Sequence, residues 1–267
     1  MSGGQDRTIR LWNPHRGVLV QKYGNVHGYE IRDVQISHDN TKFASCGGDR
    51  DVFLWDINTG TCLRRFRGHS QRVNTLAFNS DSSVLASGSL DTSVRLWDCR
   101  SNSKQAIQTL TNFRDSISSL LISDAQILVG TVDGCINTLD LRSGTICTDH
   151  LGVTISCLSL SSDQNRLLVS CLDDSLRLMD LSNGELLHSY KGHVNHSFMV
   201  SSCLSHDDKF VFSGSEDGTV HYWEIQDPSQ TSFVKAHKHI VTSVSHHPKS
   251  SCLLTSSMDG TIKVWKL

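Results

Sequence analysis

Short apolar runs alternate with polar turns along the whole chain, and residues 68–98 show the pattern most completely. Between Gly68-His69 and Trp97-Asp98 lie three such runs. One is marked by Val73, Leu76 and Phe78, one covers 84–86 and one covers 94–97. Each is short and rich in β-branched or aromatic residues, which predicts strands rather than helices. The intervening segments 79–83 and 90–93 carry Asp and Ser, which hydrogen-bond to their own backbone in turns. The stretch therefore predicts a small antiparallel meander.

The meander recurs. The five tryptophans, Trp12, Trp55, Trp97, Trp223 and Trp265, each stand six residues after an aspartate: Asp6, Asp49, Asp91, Asp217 and Asp259. Their spacings are 43, 42, 126 and 42. The long interval is three periods, and Leu139 and Met179 fill it, six residues after Asp133 and Asp173. Seven copies of a period near 42 result. A period of about 40–45 residues, with four short strands and a G-H…W-D signature, is the pattern of a β-propeller. On these residues the chain resembles the WD-repeat family over essentially its whole length.

The resemblance implies an all-β, seven-bladed WD-repeat β-propeller forming one domain over 1–267. Each blade would have strands a to d, with strand d supplied by the start of the next repeat. Blades are expected at 27–66, 69–110, 113–149, 151–190, 193–235 and 237–267, with a partial first blade at 1–23. In that first blade 1–4 reads as the end of strand b, 8–12 as strand c and 18–23 as strand d. Strand a and the ring-closing N-terminal strand of the family are missing. Extending the period back implies roughly 35 further residues, so Met1 is expected to be an internal methionine of a longer protein or an alternative start. Repeat six carries two extra residues between His193 and its strand a.

In a complete repeat the family links Trp, a hydroxyl, His and Asp in one hydrogen-bonded chain. Donor counting supports the order: indole N–H only donates, hydroxyl and imidazole do both, and carboxylate only accepts. Such a network is fully satisfied inside an apolar blade. The expected sets are His27, Ser45, Asp49, Trp55; His69, Ser87, Asp91, Trp97; His193, Ser213, Asp217, Trp223; and His237, Thr255, Asp259, Trp265. The hydroxyl could instead lie two residues on, as at Ser89. A recurring Ser, His and Asp in four copies argues for structure, since a hydrolase needs one triad with an oxyanion hole. No G-x-S-x-G elbow is present. No enzyme activity is expected. Repeats four and five keep Asp133 and Asp173 but lose the other members of the set.

Composition narrows the classes further. Hydrophobic residues make up 37% and charged residues 19%, and the net charge is −2 with no long run of one sign. Direct nucleic-acid binding is therefore not expected. The nine cysteines are odd in number, lie in strand-like segments and include no C-x-x-C, so reduced core thiols and a cytoplasmic and nuclear location are expected. No stretch approaches about 18 apolar residues, and no apolar signal segment opens the sequence. No membrane, cofactor, metal or small-molecule substrate is expected. His237, His239, His246 and His247 are accounted for by the repeat or by exposed turns.

Function in so regular a scaffold falls to the surface that does not repeat. The residue before each b–c aspartate lines the top entrance in the family. Here it is Gly48, Leu90, Val132, Leu172, Glu216 and Met258, four of the six apolar. Exposed apolar rings mark protein contacts, and packing against neighbouring turns is the competing reading. Tyr29, Arg50, Arg72, Arg114 and Phe198 are placed nearby as interface anchors. Trp97, Asp98, Cys99 and Arg100 resemble the W-D-x-R box that docks some WD-repeat proteins on cullin-type ubiquitin ligases, with a local Arg–Asp pair as the plainer reading. Leu139-Asp140-Leu141-Arg142 echoes it. Several stretches are similar to the mitogen-activated protein kinase organizer subfamily: Leu11-Trp12-Asn13-Pro14, Gly28-Tyr29-Glu30, Phe66-Arg67-Gly68-His69, Val73-Asn74-Thr75, Trp97-Asp98-Cys99-Arg100-Ser101 and Gly184-Glu185-Leu186-Leu187. That resemblance implies a scaffold for kinase-cascade or spliceosome proteins, with a substrate receptor of a cullin-type ligase as the alternative.

Repeats four and five lack the polar network and are expected to open more readily than their neighbours. Hydrogen exchange should show faster amide exchange there; finding the best-protected amides in these two repeats would overturn the expectation.

Overall fold

The computed structural model describes residues 1–123 and 126–266; Leu267, which ends the predicted seventh repeat, lies outside them. Among the described residues every regular element is a strand. Each predicted repeat becomes one antiparallel sheet whose strands pair in chain order.

The chain divides into two compact units. In the first, residues 1–148, the opening sheet is β1 (Ser2–Gly3), β2 (Ile9–Asn13) and β3 (Val18–Tyr23). The second sheet is β4 (Ile31–Ile36), β5 (Lys42–Gly47), β6 (Asp51–Asp56) and β7 (Cys62–Arg67). The third is β8 (Val73–Phe78), β9 (Val84–Ser89), β10 (Val94–Asp98) and β11 (Gln108–Leu110). The fourth is β12 (Ile117–Ile122), β13 (Gln126–Thr131), β14 (Cys135–Asp140) and β15 (Ile146–His150).

The second unit, residues 149–267, carries three sheets. They are β16 (Ile155–Leu160), β17 (Arg166–Cys171), β18 (Ser175–Asp180) and β19 (Leu186–Lys191); then β20 (Ser202–Leu204), β21 (Phe210–Gly214), β22 (Thr219–Glu224) and β23 (Thr231–Lys235); and last β24 (Val241–His246), β25 (Cys252–Ser257) and β26 (Ile262–Lys266).

Burial explains the sequence of each strand type. In the second to fifth sheets the second strand is covered on both faces, so β5, β9, β13 and β17 are buried along nearly their whole length. Their residues run apolar and small without alternation, as a strand covered on both faces requires. The last strand of the first, second and fifth sheets is mostly exposed and buries a single aromatic: Tyr23 in β3, Phe66 in β7 and Tyr190 in β19. Each aromatic packs on the tryptophan of the following sheet. Tyr23 lies 6.2 Å from Trp55, Phe66 5.2 Å from Trp97 and Tyr190 5.9 Å from Trp223, centroid to centroid. The buried phenols also find acceptors, Tyr23 donating to the Ile57 carbonyl at 3.0 Å and Tyr190 to that of Ile225 at 3.1 Å.

The core is accordingly distributed between consecutive sheets. Ile9, Tyr23, Ile31, Phe43, Phe53 and Trp55 form one cluster, and Leu54, Phe66, Val73, Leu76, Leu85 and Trp97 belong to the next. Polar groups stitch the same seams. The Asp33 carboxylate accepts the Leu76 N–H at 2.8 Å, and its burial raises its pKa although that bond and Gln35 oppose the shift. A bulge in β8 frees Asn74 to donate to the Ile117 carbonyl at 2.8 Å, and one in β16 lets Ser156 reach that of Val200 at 3.2 Å.

One glycine is dictated by close approach. A Cβ on Gly47 would sit 2.0 Å from the Glu30 carbonyl oxygen. Because backbone cannot yield as a side chain can, Gly47→Ala is expected to cost about 3 kcal/mol, measured by urea denaturation; an unchanged midpoint would refute the close packing of β5 on the preceding turn.

Candidate functional site

The polar chain assembles in three repeats. In the second, Trp55 Nε1–H donates to Ser45 Oγ at 2.8 Å, Ser45 lies 2.7 Å from His27 Nε2, and His27 Nδ1 lies 2.5 Å from Asp49. In the third, the corresponding distances are 2.8 Å from Trp97 to Ser87, 2.8 Å from Ser87 to His69, and 2.9 Å from His69 to Asp91. The seventh has 3.0, 2.8 and 3.1 Å through Trp265, Thr255, His237 and Asp259. Since each hydroxyl accepts the indole proton, it donates to Nε2, and Nδ1–H then donates to the carboxylate. Ser89, the alternative hydroxyl, donates instead to the Arg72 carbonyl at 2.8 Å. Ser45 and Ser87 are wholly buried and engaged, so they offer no accessible nucleophile.

Each aspartate also caps the loop that follows its histidine. Asp49 accepts the Gly28 N–H at 2.7 Å, Asp91 that of Ser70 at 2.9 Å and Asp259 that of Lys238 at 3.2 Å. A further hydroxyl, two residues after the aspartate, was not anticipated. Ser93 and Thr261 both bond the carboxylate at 2.5 Å and approach His69 and His237 at 3.3 and 3.0 Å. Its signal was present, since Thr8, Ser175 and Thr219 hold the same position after Asp6, Asp173 and Asp217. Burial opposes these carboxylates' charge, but Ser93 and the Ser70 amide hold Asp91 below the usual range, and Thr261 with the Lys238 amide does the same for Asp259.

The sixth repeat corrects the expected set of His193, Ser213, Asp217 and Trp223. Trp223 Nε1–H donates to Thr231 Oγ1 at 2.9 Å, Ser213 donates to the Gly214 carbonyl at 2.9 Å, and neither ring nitrogen of His193 has a protein hydrogen-bond partner. The physical reason is the two-residue insertion. It moves His193 out of register and puts Asn195 at the position, counted back from the tryptophan, that His27, His69 and His237 occupy. Asn195 turns to the fifth repeat, donating to the Cys171 carbonyl at 3.1 Å. The displaced His193 ring stays buried, edge-on to Trp223 at 5.7 Å and 6.4 Å from His221. Burial pushes it down to about 4, His221 adds to this, and Asp174, Asp173 and Asp217 oppose it.

In the first repeat Trp12 donates to Ser2 at 2.8 Å. The fourth and fifth replace the chain with local bonds, Thr131 to Asp133, and Arg177 to Asp173 at 2.8 Å.

The residues proposed to meet partners sit on this frame. Five positions before a b–c aspartate have their N–H tied to the carbonyl that precedes the first strand: Gly48 to Glu30, Leu90 to Arg72, Val132 to Ser116, Leu172 to Thr154 and Met258 to Ile240, at 3.0–3.1 Å; Glu216 instead donates to Val194 in the inserted loop at 2.9 Å. Met258 is exposed, whereas Leu90, Val132 and Leu172 are half-buried. Tyr29, Arg50, Arg72, Arg114 and Phe198 are exposed. Tyr29 lies across Gly48, where a Cβ would meet it at 2.7 Å. In the ligase-like box Trp97 and Cys99 are buried, while Arg100 is exposed and pairs with Asp81 at 3.0 Å. Asp98 instead accepts the Arg100 and Ser101 amides, and Arg64 grips the carbonyls of both Asp98 and Arg100 at 3.1 Å. Arg142 likewise gives its amide to Asp140 at 2.7 Å.

Among the described residues none of the nine cysteines forms a disulfide, and burial raises the Cys99 and Cys171 thiols to about 11 and that of Cys203 to about 12. Among the described residues no group of three His, Cys, Asp or Glu could hold a metal, and no helix is long and apolar enough to cross a membrane.

These sheets and their Trp–hydroxyl–His–Asp chains place the molecule in a defined class: the chain belongs to the WD-repeat β-propeller family, each sheet being one of seven blades. Residues 1–266 match the family model described as IFT122 first beta-propeller. The chain is similar to WD repeat domain-containing protein 83 of Xenopus tropicalis, 47% identical over all of this chain and 84% of the relative, and to that of Homo sapiens, 44% identical over 98% and 83%. A WD repeat domain-containing protein 83 homolog of Dictyostelium discoideum is 32% identical over 99% and 90%. The family is generally non-enzymatic, and its members serve as interaction scaffolds.

The two kinds of histidine should respond oppositely to mutation. His69→Phe strands Ser87 and Asp91 and should cost about 2 kcal/mol, whereas His193→Phe removes two unpartnered nitrogens and should add about 1 kcal/mol. Because the folded pKa of His193 lies below its unfolded value of about 6.5, its stabilisation is complete above that pH and lost as pH falls toward about 4. The advantage of His193→Phe should therefore widen between pH 7 and pH 4.5 in thermal melts; a constant difference would show that His193 does not stay neutral in the fold.

Proposed function

We propose that the chain is a non-enzymatic scaffold that joins proteins, in a kinase cascade or in a pre-mRNA splicing complex, working in cytoplasm and nucleus. One observation carries the reading. Positions Leu90, Val132, Leu172 and Met258 recur at the same turn, each with its backbone tied to the neighbouring strand, and exposed Tyr29, Arg50, Arg72, Arg114 and Phe198 lie on the same class of loops. Aromatic and arginine side chains on backbone already fixed lose little entropy on binding, which favours them as anchors. The similarity to WD repeat domain-containing protein 83 over nearly the full chain supports a shared partner set.

A second reading, substrate receptor of a cullin-type ubiquitin ligase, draws support from Arg100. Its ion pair with Asp81 is exposed on both sides, so it is worth little and is readily exchanged for a partner's acidic group.

Affinity purification with quantitative mass spectrometry separates the readings. Leu90→Asp or Tyr29→Ala should reduce recovery of kinase-cascade or splicing proteins at least tenfold while melting behaviour is kept. Unchanged recovery would overturn the scaffold surface. Loss of ligase adaptors on Arg100→Ala, with the other partners kept, would establish the second reading instead.

A further inference from the structure

The insertion that displaces His193 builds a loop whose backbone amides are held by side chains. From Val194 to Phe198 every backbone N–H is engaged. Val194 donates to Ser215 Oγ at 3.0 Å and Asn195 to Asp174 at 2.6 Å. His196, Ser197 and Phe198 all donate to one oxygen of Glu216, at 2.8, 2.6 and 3.0 Å. The Val194 carbonyl accepts the Glu216 N–H at 2.9 Å, and the His196 ring lies 3.1 Å from Asp174. Burial alone would raise the Glu216 carboxyl, but the three amides hold it below its usual range.

The loop so fixed turns apolar side chains to solvent. Val194, Phe198 and Met199 are 36%, 40% and 48% exposed. Rigid backbone with outward aromatic and thioether groups does nothing for the core, and its formation leaves His193 and Asn195 Oδ1 without protein partners. Local losses of this kind are characteristic of functional sites. Beside the loop the Lys235 ammonium donates to the Asp217 backbone carbonyl rather than to a carboxylate. Among the described residues Asp173 is paired with Arg177, whereas Asp174 and Glu216 have no lysine or arginine ion pair.

We infer that residues 194–199 form a preformed anchor for a protein segment that combines apolar side chains with flanking lysines or arginines. This deepens the scaffold reading and rests on it. Phe198 and Met199 enter the partner's apolar cluster, and the Asp174 and Glu216 carboxylates at the loop base, with no lysine or arginine ion pair among the described residues, favour its basic flanks. Because the loop is already ordered, association does not bear the entropy of fixing it. An acidic or purely apolar segment lacks one of the two complements.

The test is selection of a displayed library of random twelve-residue peptides on the whole chain, with counter-selection on the Phe198→Ser/Met199→Ser double variant and, separately, on Leu90→Asp. Sequences lost only on the loop variant should carry several aliphatic or aromatic residues and a surplus of Lys and Arg. By fluorescence anisotropy they should bind the loop variant at least tenfold more weakly, and binding should weaken severalfold from 50 to 300 mM salt. Both substituted side chains point outward, so the melting temperature should stay within a few degrees, and circular dichroism checks this. Loop-dependent sequences that are acidic or uncharged, or none at all, overturn the inference. Sequences lost on Leu90→Asp but kept on the loop variant would leave the scaffold reading standing without this anchor. Selection affected by neither variant would remove both.

Discussion

An indole N–H buried between two β-sheets must be given an acceptor, and the manner in which this chain supplies one organises the rest. At buried Trp55 and Trp97, and likewise at half-buried Trp265, the acceptor is a hydroxyl, which is turned by a histidine, which is held by an aspartate. The aspartate ties down the loop before the next strand. A single buried donor is thereby connected through four side chains to the surface turn. Buried polar groups are costly unless every member is satisfied, so the network fixes both the packing of the sheet and the position of its exposed loops.

Where the chain cannot be completed, the repeats solve the same problem differently. The fourth and fifth have no indole to satisfy, since Leu139 and Met179 are apolar, and their aspartates turn to Thr131 and Arg177. The sixth keeps its tryptophan but sends the N–H to Thr231, leaving the histidine as a neutral ring among apolar and aromatic neighbours. The acceptor for the indole is conserved as a physical requirement even when the residue that provides it changes.

Strand positions were legible because the short apolar runs and the regular period leave little freedom: the strands at 73–78 and 94–98 fall where the apolar runs put them. The hydrogen-bonded sets at His27, His69 and His237 were legible through the family resemblance, with donor counting fixing Trp and Asp as the ends and the hydroxyl left open between positions such as Ser87 and Ser89. The set at His193 was not, although its two extra residues were visible. Sequence distance records that the register is broken, but not which of His193 and Asn195 stays near the tryptophan. The Glu216 clamp was hidden for a related reason. Glu216 occupies a position where its counterparts are mostly apolar, and a carboxylate that gathers three amides of a distant loop has no periodicity to betray it. The bulge-borne contacts of Asn74 and Ser156 were equally silent, being set by neighbouring sheets rather than by local pattern.

The placement of Tyr23, Phe66 and Tyr190 bears on how the protein can be divided. Each belongs to one sheet by hydrogen bonding and to the following one by ring contact with its tryptophan. A fragment that begins at the first residue of a sequence repeat leaves behind the ring that roofs its own tryptophan, and exposes that indole to water. Fragments that begin one strand earlier, carrying β3, β7 or β19 with them, keep the roof. The natural joint for dissection, for transplanting a repeat or for splitting the chain into reassembling halves therefore lies before the last strand of the preceding sheet, offset from the boundary that the repeat itself suggests.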